Sequence, residues 1–265
     1  LHDIDLTDFS AILSFLQYHK FDRVFHLAAQ SYVPYSFTNP IATLQVNVIG
    51  TANLLEAIRL SGQSPLIHIC SSSEVYGQVD EVDLPIDELQ LPSPMSPYGV
   101  SKLAEDMLGW QYFKAYGMKI VRTRAFTHTG PRRGSVFAES SFAYQIASVE
   151  KGLQNYIEVG NLNSLRTWCD VRDMVRAYAM LDEKMAGEVY NIGGSYVASV
   201  NDILRALLEK AQVKPRIIQA ANRVRPIDVT LQVCDSTKFM KATGWKPEIP
   251  FDKTMTDLLN YWRET

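Results

Sequence analysis

The stretch Leu66-Ile67-His68-Ile69-Cys70 runs without a break into Ser71-Ser72-Ser73-Glu74-Val75-Tyr76-Gly77, and its reading decides the fold. A short apolar run bounded by a proline and a polar tail is the pattern of a strand buried on both faces, as in a parallel sheet. Two further runs repeat it, Val24-Phe25-His26-Leu27-Ala28 and Lys119-Ile120-Val121-Arg122. Helical patterns separate the three. From Pro40 to about Leu60, the apolar residues Leu44, Val48, Ala52, Leu55 and Ile58 recur at helical spacing, and Gly62 is a natural stop. A second helix is expected from about Tyr98 to Ala115. Strands of this kind joined through helices form parallel βαβ units with right-handed crossovers.

Working outward, Thr7 is expected to cap a helix that carries Phe9, Ile12, Leu13 and Leu16 on one face and ends before Phe21. Beyond Arg124 the texture changes to polar loops, among them Pro131-Arg132-Arg133-Gly134 and Arg225-Pro226. A helix at about Val171–Leu181 and the strand Val189-Tyr190-Asn191-Ile192 return to the first pattern. The expected fold class is α/β, a doubly wound parallel sheet with a smaller substrate domain interleaved into its C-terminal half. The nucleotide-binding part should comprise residues 1–126, completed by about 168–195, and the substrate domain about 127–167 and 196–265. A dinucleotide-binding sheet opens with a strand, a Gly-rich turn and a helix. No GxGxxG or GxxGxxG occurs, and the chain begins at Leu1, so the first βαβ unit is expected to be missing.

Composition narrows the function classes. The 265 residues carry 26 Lys+Arg and 29 Asp+Glu, and 26 − 29 gives −3 at neutral pH. Nucleic-acid and anionic-membrane surfaces show a basic excess, so neither is an expected partner. No run approaches 18 uninterrupted apolar residues, and the chain does not open as a signal sequence, which together suggest a soluble cytoplasmic protein. Cys70, Cys169 and Cys234 are far apart and form no CxxC, so neither a disulfide framework nor a zinc site is expected. His26, His68 and His128 lack ligand spacing; His26 and His68, inside apolar strands, read as core residues with satisfied ring nitrogens.

The chemistry gathers at one strand end. Tyr98-Gly99-Val100-Ser101-Lys102 places a phenol and an ammonium at i and i+4, on one helix face. To act as a base at neutral pH a phenol must titrate about 3 pH units below its usual value near 10, worth roughly 4 kcal/mol. A lysine and an oxidised nicotinamide ring together can supply that. Alone, the pair also fits a solvated lysine beside a half-buried tyrosine, and Ser71-Ser72-Ser73 also fits a plain turn. Ligand crevices of open α/β sheets form at the carboxyl ends of strands, where the serines fall.

Jointly these residues resemble the extended short-chain dehydrogenase/reductase family, whose Ser/Thr, Tyr and Lys carry redox chemistry on nucleotide sugars. Asp5-Leu6 resembles the pair that contacts the cofactor's adenine ring. Leu27-Ala28-Ala29-Gln30-Ser31 resembles the strand-end segment beneath the cofactor. Asp235-Ser236-Thr237-Lys238 and Gly244-Trp245-Lys246-Pro247 resemble the C-terminal substrate-domain stretch.

Three runs resemble the GDP-mannose 4,6-dehydratases within that family. They are Ser72-Ser73-Glu74, Phe126-Thr127-His128-Thr129-Gly130-Pro131-Arg132-Arg133-Gly134, and Gly160-Asn161-Leu162-Asn163-Ser164-Leu165-Arg166-Thr167-Trp168. The chain departs from the dehydratase pattern at Ser72 (Thr there), Thr127 (Asn), Gly130 (Ser) and Thr167 (Asp), and the last three also suit the reductases that act next in the same pathway. The resemblance implies Ser72, Glu74, Tyr98 and Lys102 as catalytic residues. It implies NADP as cofactor, held by Asp5, Leu6, Leu27, Ala28, Ala29, Gln30, Ser31, Tyr98, Lys102, His128 and Arg133. Ser73, Arg166, Arg225 and Asp228 would bind a substrate such as GDP-mannose, and relatives of this kind are dimers or tetramers. Glu74 discriminates, since a reductase or epimerase needs no base there and a dehydratase does. The expected reaction is 4,6-dehydration of GDP-mannose; a GDP-4-keto-6-deoxymannose reductase, another nucleotide-sugar epimerase or reductase, and a non-catalytic fragment are the alternatives.

Overall fold

The computed structural model describes residues 1–220, 223 and 227–265. The chain divides into two compact units, one of Leu1–Gly77, Glu88–Ala125 and Met180–Asn191, the other of Gln78–Asp87, Phe126–Ala179 and Ile192–Thr265.

In the first unit α1 (Phe9–Tyr18) leads to β1 (Arg23–His26), and α2 (Val33–Thr38) and α3 (Pro40–Leu44) follow. A π-helical turn, Gln45–Ile49, joins α3 to α4 (Gly50–Leu60). Then come β2 (Leu66–Ser72), α5 (Pro97–Tyr116) and β3 (Ile120–Ala125). β1 pairs parallel with β2, and β2 with β3, Ser72 lying opposite Ala125. β7 (Val189–Ile192) completes the order β1-β2-β3-β7, which is the expected α/β arrangement. The core joins Ile12 and Leu16 of α1, Leu55 and Ile58 of α4, Ile67 and Ile69 of β2, and Ile120 of β3. Deep in the same unit Asp106 pairs with Arg122 at 2.7 Å and Arg124 at 2.8 Å, so charges without water are compensated.

Local details correct the sequence reading. Asp8, not Thr7, caps α1, accepting the Ala11 N–H at 2.9 Å, because Thr7 is turned back onto the Asp5 carboxylate. β2 continues through Ser72, so Ser71 and Ser72 belong to the strand while Ser73 opens the turn after it. The expected helix 40–60 is broken by the π turn, and its first half buries Thr43, Asn47, Gly50 and Thr51 while Leu44 is exposed. By length and composition alone Pro40–Leu60 could cross a membrane; here its polar face is buried within the unit.

The second unit contains β4 (His128–Thr129), α6 (Ala138–Glu150), β5 (Tyr156–Val159), β6 (Leu165–Asp170) and α7 (Val171–Ala179). It continues with β8 (Tyr196–Ser199), α8 (Val200–Glu209), β9 (Arg216–Gln219), β10 (Leu231–Gln232), α9 (Thr237–Thr243) and α10 (Phe251–Glu264). β6 lies between β10 and β4, with β8 antiparallel to it, and β5 pairs with β9. Phe142, Ile146, Trp168, Ile203, Leu207 and Leu258 form its core. The segment that returns to the first unit is shorter than the expected 168–195. Trp168 packs in the second core and Asp170 accepts the Thr254 hydroxyl at 2.8 Å, which keeps β6 and α7 in the second unit.

Candidate active site

Ser72 ends β2 in extended backbone, and its Oγ accepts the Glu74 N–H at 3.2 Å to start the short helical turn Ser73–Val75. That turn presents Glu74, half-buried, immediately beyond a buried Ser72 and Ser73. Nearby, the Ser96 hydroxyl caps α5 by accepting the Gly99 N–H at 3.0 Å, with Pro97 at the first helical position, where its missing N–H costs nothing. Tyr98 and Lys102 therefore occupy the opening turns of α5. A Cβ on Gly99 would fall 2.8 Å from the Glu74 carbonyl oxygen, so glycine permits this close approach of helix and turn. Ser71 donates to the Lys102 carbonyl at 3.0 Å and holds strand and helix together.

Ser72 lies near enough to the Tyr98 hydroxyl to favour its ionised form. The Lys102 ammonium stands 6.0 Å from the Tyr98 ring centre and donates to the Cys70 carbonyl at 3.0 Å and to Glu105 Oε2 at 2.9 Å. Burial pushes the Tyr98 phenol above its ordinary value, and Lys102 and Ser72 pull against it without prevailing. The protein groups alone thus leave Tyr98 a neutral phenol at neutral pH. Ser72, Ser73, Glu74, Tyr98 and Lys102 are brought together within the first unit.

The expected cofactor segment Leu27–Ser31 leaves the end of β1, with Leu27 and Ala28 exposed. Its anchor is Asn47, a residue sequence reasoning missed. Buried on the π turn, Asn47 accepts the Gln30 N–H at 2.7 Å and donates to the Gln30 carbonyl at 3.0 Å and to Ser101 Oγ at 2.8 Å. A carboxamide flanked by Val46 and Val48 was the available signal. Thr51 extends this network, donating to the Asn47 carbonyl at 2.6 Å, so His26 Nε2 is the donor in its 2.8 Å bond to Thr51. Asp5 closes a turn on Thr7, which lowers its pKa, and Leu6 lies against Gly50, its carbonyl accepting from Asn53 at 2.9 Å.

The remaining expected site residues lie in the second unit. His128 donates from Nδ1 to the Phe126 carbonyl at 2.9 Å; burial, with Arg133 adding to it, pushes the imidazole down to about 4 and keeps it neutral. The Arg133 guanidinium lies 3.5 Å over the Phe137 ring and 3.4 Å from Glu139, an ion pair too poorly directed to be a hydrogen bond. Arg166 donates to the Val229 carbonyl at 2.8 Å and to Gln232, with Asp228 at 3.8 Å. Asp228 accepts from Asn161 at 2.7 Å and Ser164 at 3.1 Å. Arg225 lies outside the described residues.

A sequence model of the family described as GDP-mannose 4,6 dehydratase matches residues 1–258. GDP-6-deoxy-D-mannose reductase of Pseudomonas aeruginosa is 39% identical over 243 residues, 91% of this chain and 80% of that protein. GDP-mannose 4,6-dehydratase of Vibrio cholerae is 31% identical over 290 residues, 98% of this chain and 77% of that protein. Among solved structures, RMD from Pseudomonas aeruginosa complexed with NADPH has a TM-score of 0.92 at 37% identity, covering 99% of this chain and 88% of that one. UDP-glucose 4-epimerase from Thermotoga maritima with UDP-glucose has a TM-score of 0.89 at 27% identity, covering 99% and 84%. With these similarities and its Rossmann-like parallel sheet, the chain belongs to the GDP-mannose 4,6-dehydratase family of extended short-chain dehydrogenases/reductases, enzymes that act on nucleotide sugars.

Proposed function

We propose that the protein catalyses the 4,6-dehydration of GDP-mannose to GDP-4-keto-6-deoxymannose. Glu74 carries this reading, because the turn after β2 places it two residues beyond Ser72, where the backbone closely approaches the first turn of α5 that bears Tyr98. The residues present suit the nicotinamide-ribose end of NADP. After donating to Cys70 and Glu105, Lys102 retains a third N–H for a ribose hydroxyl, next to the Tyr98 phenol. Asp5, Leu6 and Leu27–Ser31 are further candidate contacts in the first unit, and His128 and Arg133 in the second. When bound, NADP would supply the hydride exchange that links oxidation at C4 to reduction at C6.

In this reading Tyr98 takes the O4 proton, with Ser72 hydrogen-bonded to O4. The 4-ketone that results acidifies the C5–H bond. Glu74 removes the C5 proton as general base and passes it to the departing C6 hydroxyl, which leaves as water; after C6 is reduced, C5 takes a proton from solvent and the proton held by Tyr98 is released to solvent. Ser73, Arg166, Arg225 and Asp228 are proposed to bind the nucleotide sugar, the planar guanidinium of Arg166 being suited to a diphosphate.

One observation favours a second reading. The 39% identity to a GDP-6-deoxy-D-mannose reductase exceeds the 31% to a dehydratase, and Tyr98 as a neutral phenol is the acid that reduction of a 4-ketone requires. Cofactor stoichiometry separates the two. A dehydratase converts GDP-mannose with no net change at 340 nm, whereas a reductase oxidises one NADPH for each 4-keto sugar. Conversion of GDP-mannose at constant absorbance is the expected result; inertness toward GDP-mannose with NADPH oxidation by the 4-keto sugar would replace this proposal with the second reading.

A further inference from the structure

Lys102 and Glu105 lie one turn apart on α5, with Glu105 Oε2 2.9 Å from the ammonium and both side chains buried. The other carboxylate oxygen, Oε1, is buried with no hydrogen-bond partner. A carboxylate left half unsatisfied in the core is costly to the fold. This one faces the single cation that can stabilise a Tyr98 phenolate from α5.

We propose that Glu105 is a positioning residue that controls proton transfer at Tyr98: as an anion it anchors the Lys102 ammonium and offsets its charge, and as a neutral acid it leaves that charge to act on the phenol. The inference rests on Tyr98 being the proton-transfer group, as in the reading above.

Burial pushes the Glu105 carboxyl up to about 7, with Lys102 pulling against it and Asp106 adding to it, so both forms are populated near neutral pH. Burial opposes the Lys102 ammonium, but Glu105 and Tyr98 hold it above its ordinary value, and its bond to the Cys70 carbonyl at 3.0 Å is independent of the Glu105 charge. The other charged and titratable groups around this cluster are Asp106, Cys70, His68 and His26. On α5, Asp106 is committed to Arg122 and Arg124 of β3. Cys70 on β2 bears on both Tyr98 and Lys102. His68 on β2 and His26 on β1 are neutral, pushed down to about 3 and about 4 by burial. Glu105, at about 7, changes charge well above these two histidines.

The test follows the Tyr98 ring carbon that bears the hydroxyl, by NMR of the full chain with 13C-labelled tyrosine, the resonance being assigned by its loss in Tyr98→Phe. No sugar or cofactor is added. In Glu105→Gln the phenol should titrate roughly 1–2 pH units lower than in the unaltered protein. Glu105→Asp, which retains the charge, should stay closer to the unaltered value. In the unaltered protein the same resonance should show an inflection near pH 7 as Glu105 ionises, and that inflection decides the matter if Glu105→Gln does not fold. An unchanged or raised midpoint in folded Glu105→Gln, or the lack of the inflection, would overturn the proposal. Because the titration needs no turnover, a failed dehydratase assay would leave a positive result standing.

Discussion

Asn47 clasps the backbone of Gln30 from both sides, accepting its N–H at 2.7 Å and donating to its carbonyl at 3.0 Å. The same carboxamide reaches Ser101 on α5, so the strand-end segment after β1 is locked to the helix that carries Tyr98 and Lys102. Asn47→Ala should leave buried partners unsatisfied and cost about 2–4 kcal/mol of stability. Chemical denaturation would register this as a lower midpoint. Asn47→Asp, which keeps only the acceptor to the Gln30 N–H, should recover less than half of the loss.

The same residue shows where the sequence was legible and where it was not. The apolar runs at 24–28, 66–70 and 119–122 predicted three strands of the parallel sheet, because strands covered on both faces are apolar throughout. Tyr98, Lys102 and Ser72 were legible as a constellation because strand end and helix start converge in any βαβ unit. The polar packing between helices was not. Residues 43–51 bury Thr43, Asn47 and Thr51, and α5 buries Ser101, Lys102, Glu105 and Asp106, so apolar periodicity, right at Leu55 and Ile58, misplaced Leu44 and overlooked the buried polar residues. Glu105 escaped notice for that reason, since its environment depends on β2 and β1 as well as on its own helix. The π turn shifted the register once more, and apolar spacing gives no sign of a single wide turn.

Tyr98 and Lys102 should separate cleanly by mutation. Tyr98→Phe removes the phenol proposed as the proton-transfer group and should abolish both sugar oxidation and product formation. Lys102→Ala should lose activity most strongly below neutral pH, where an unassisted phenol is protonated. Rates measured from pH 6 to pH 9 would check this. Cofactor reduction by Tyr98→Phe at the unaltered rate would assign the base elsewhere.

Acid should unfold the protein through its buried histidines. Burial holds His26 at about 4, His68 at about 3 and His128 at about 4, against an ordinary value of 6.5. The unfolded chain therefore takes up protons first, and stability falls as pH drops from 6.5 toward 4. Glu105 works in the opposite sense. Raised to about 7, it contributes stability that is fully present below about 4.5 and lost as pH rises through 7. Three histidines against one carboxyl leave a net of about two protons, or about 3 kcal/mol per pH unit at the steepest point. Thermal unfolding at pH 7 and pH 5 should show a clear drop in Tm, smaller in His68→Gln; equal or higher Tm at pH 5 would contradict the assignment.

The central claim, that Glu74 makes this enzyme a dehydratase, is tested most directly by Glu74→Gln incubated with GDP-mannose and NADP in deuterium oxide. The amide keeps the shape of the side chain and removes its basicity, so oxidation at C4 should proceed while proton removal at C5 fails, a loss of about 10²- to 10⁴-fold. Mass spectrometry should then find reduced cofactor with a 4-keto-hexose that keeps its C6 hydroxyl and carries no deuterium at C5. A 6-deoxy product bearing solvent deuterium at C5, formed at near the unaltered rate, would remove Glu74 from the mechanism and leave the reductase reading in its place.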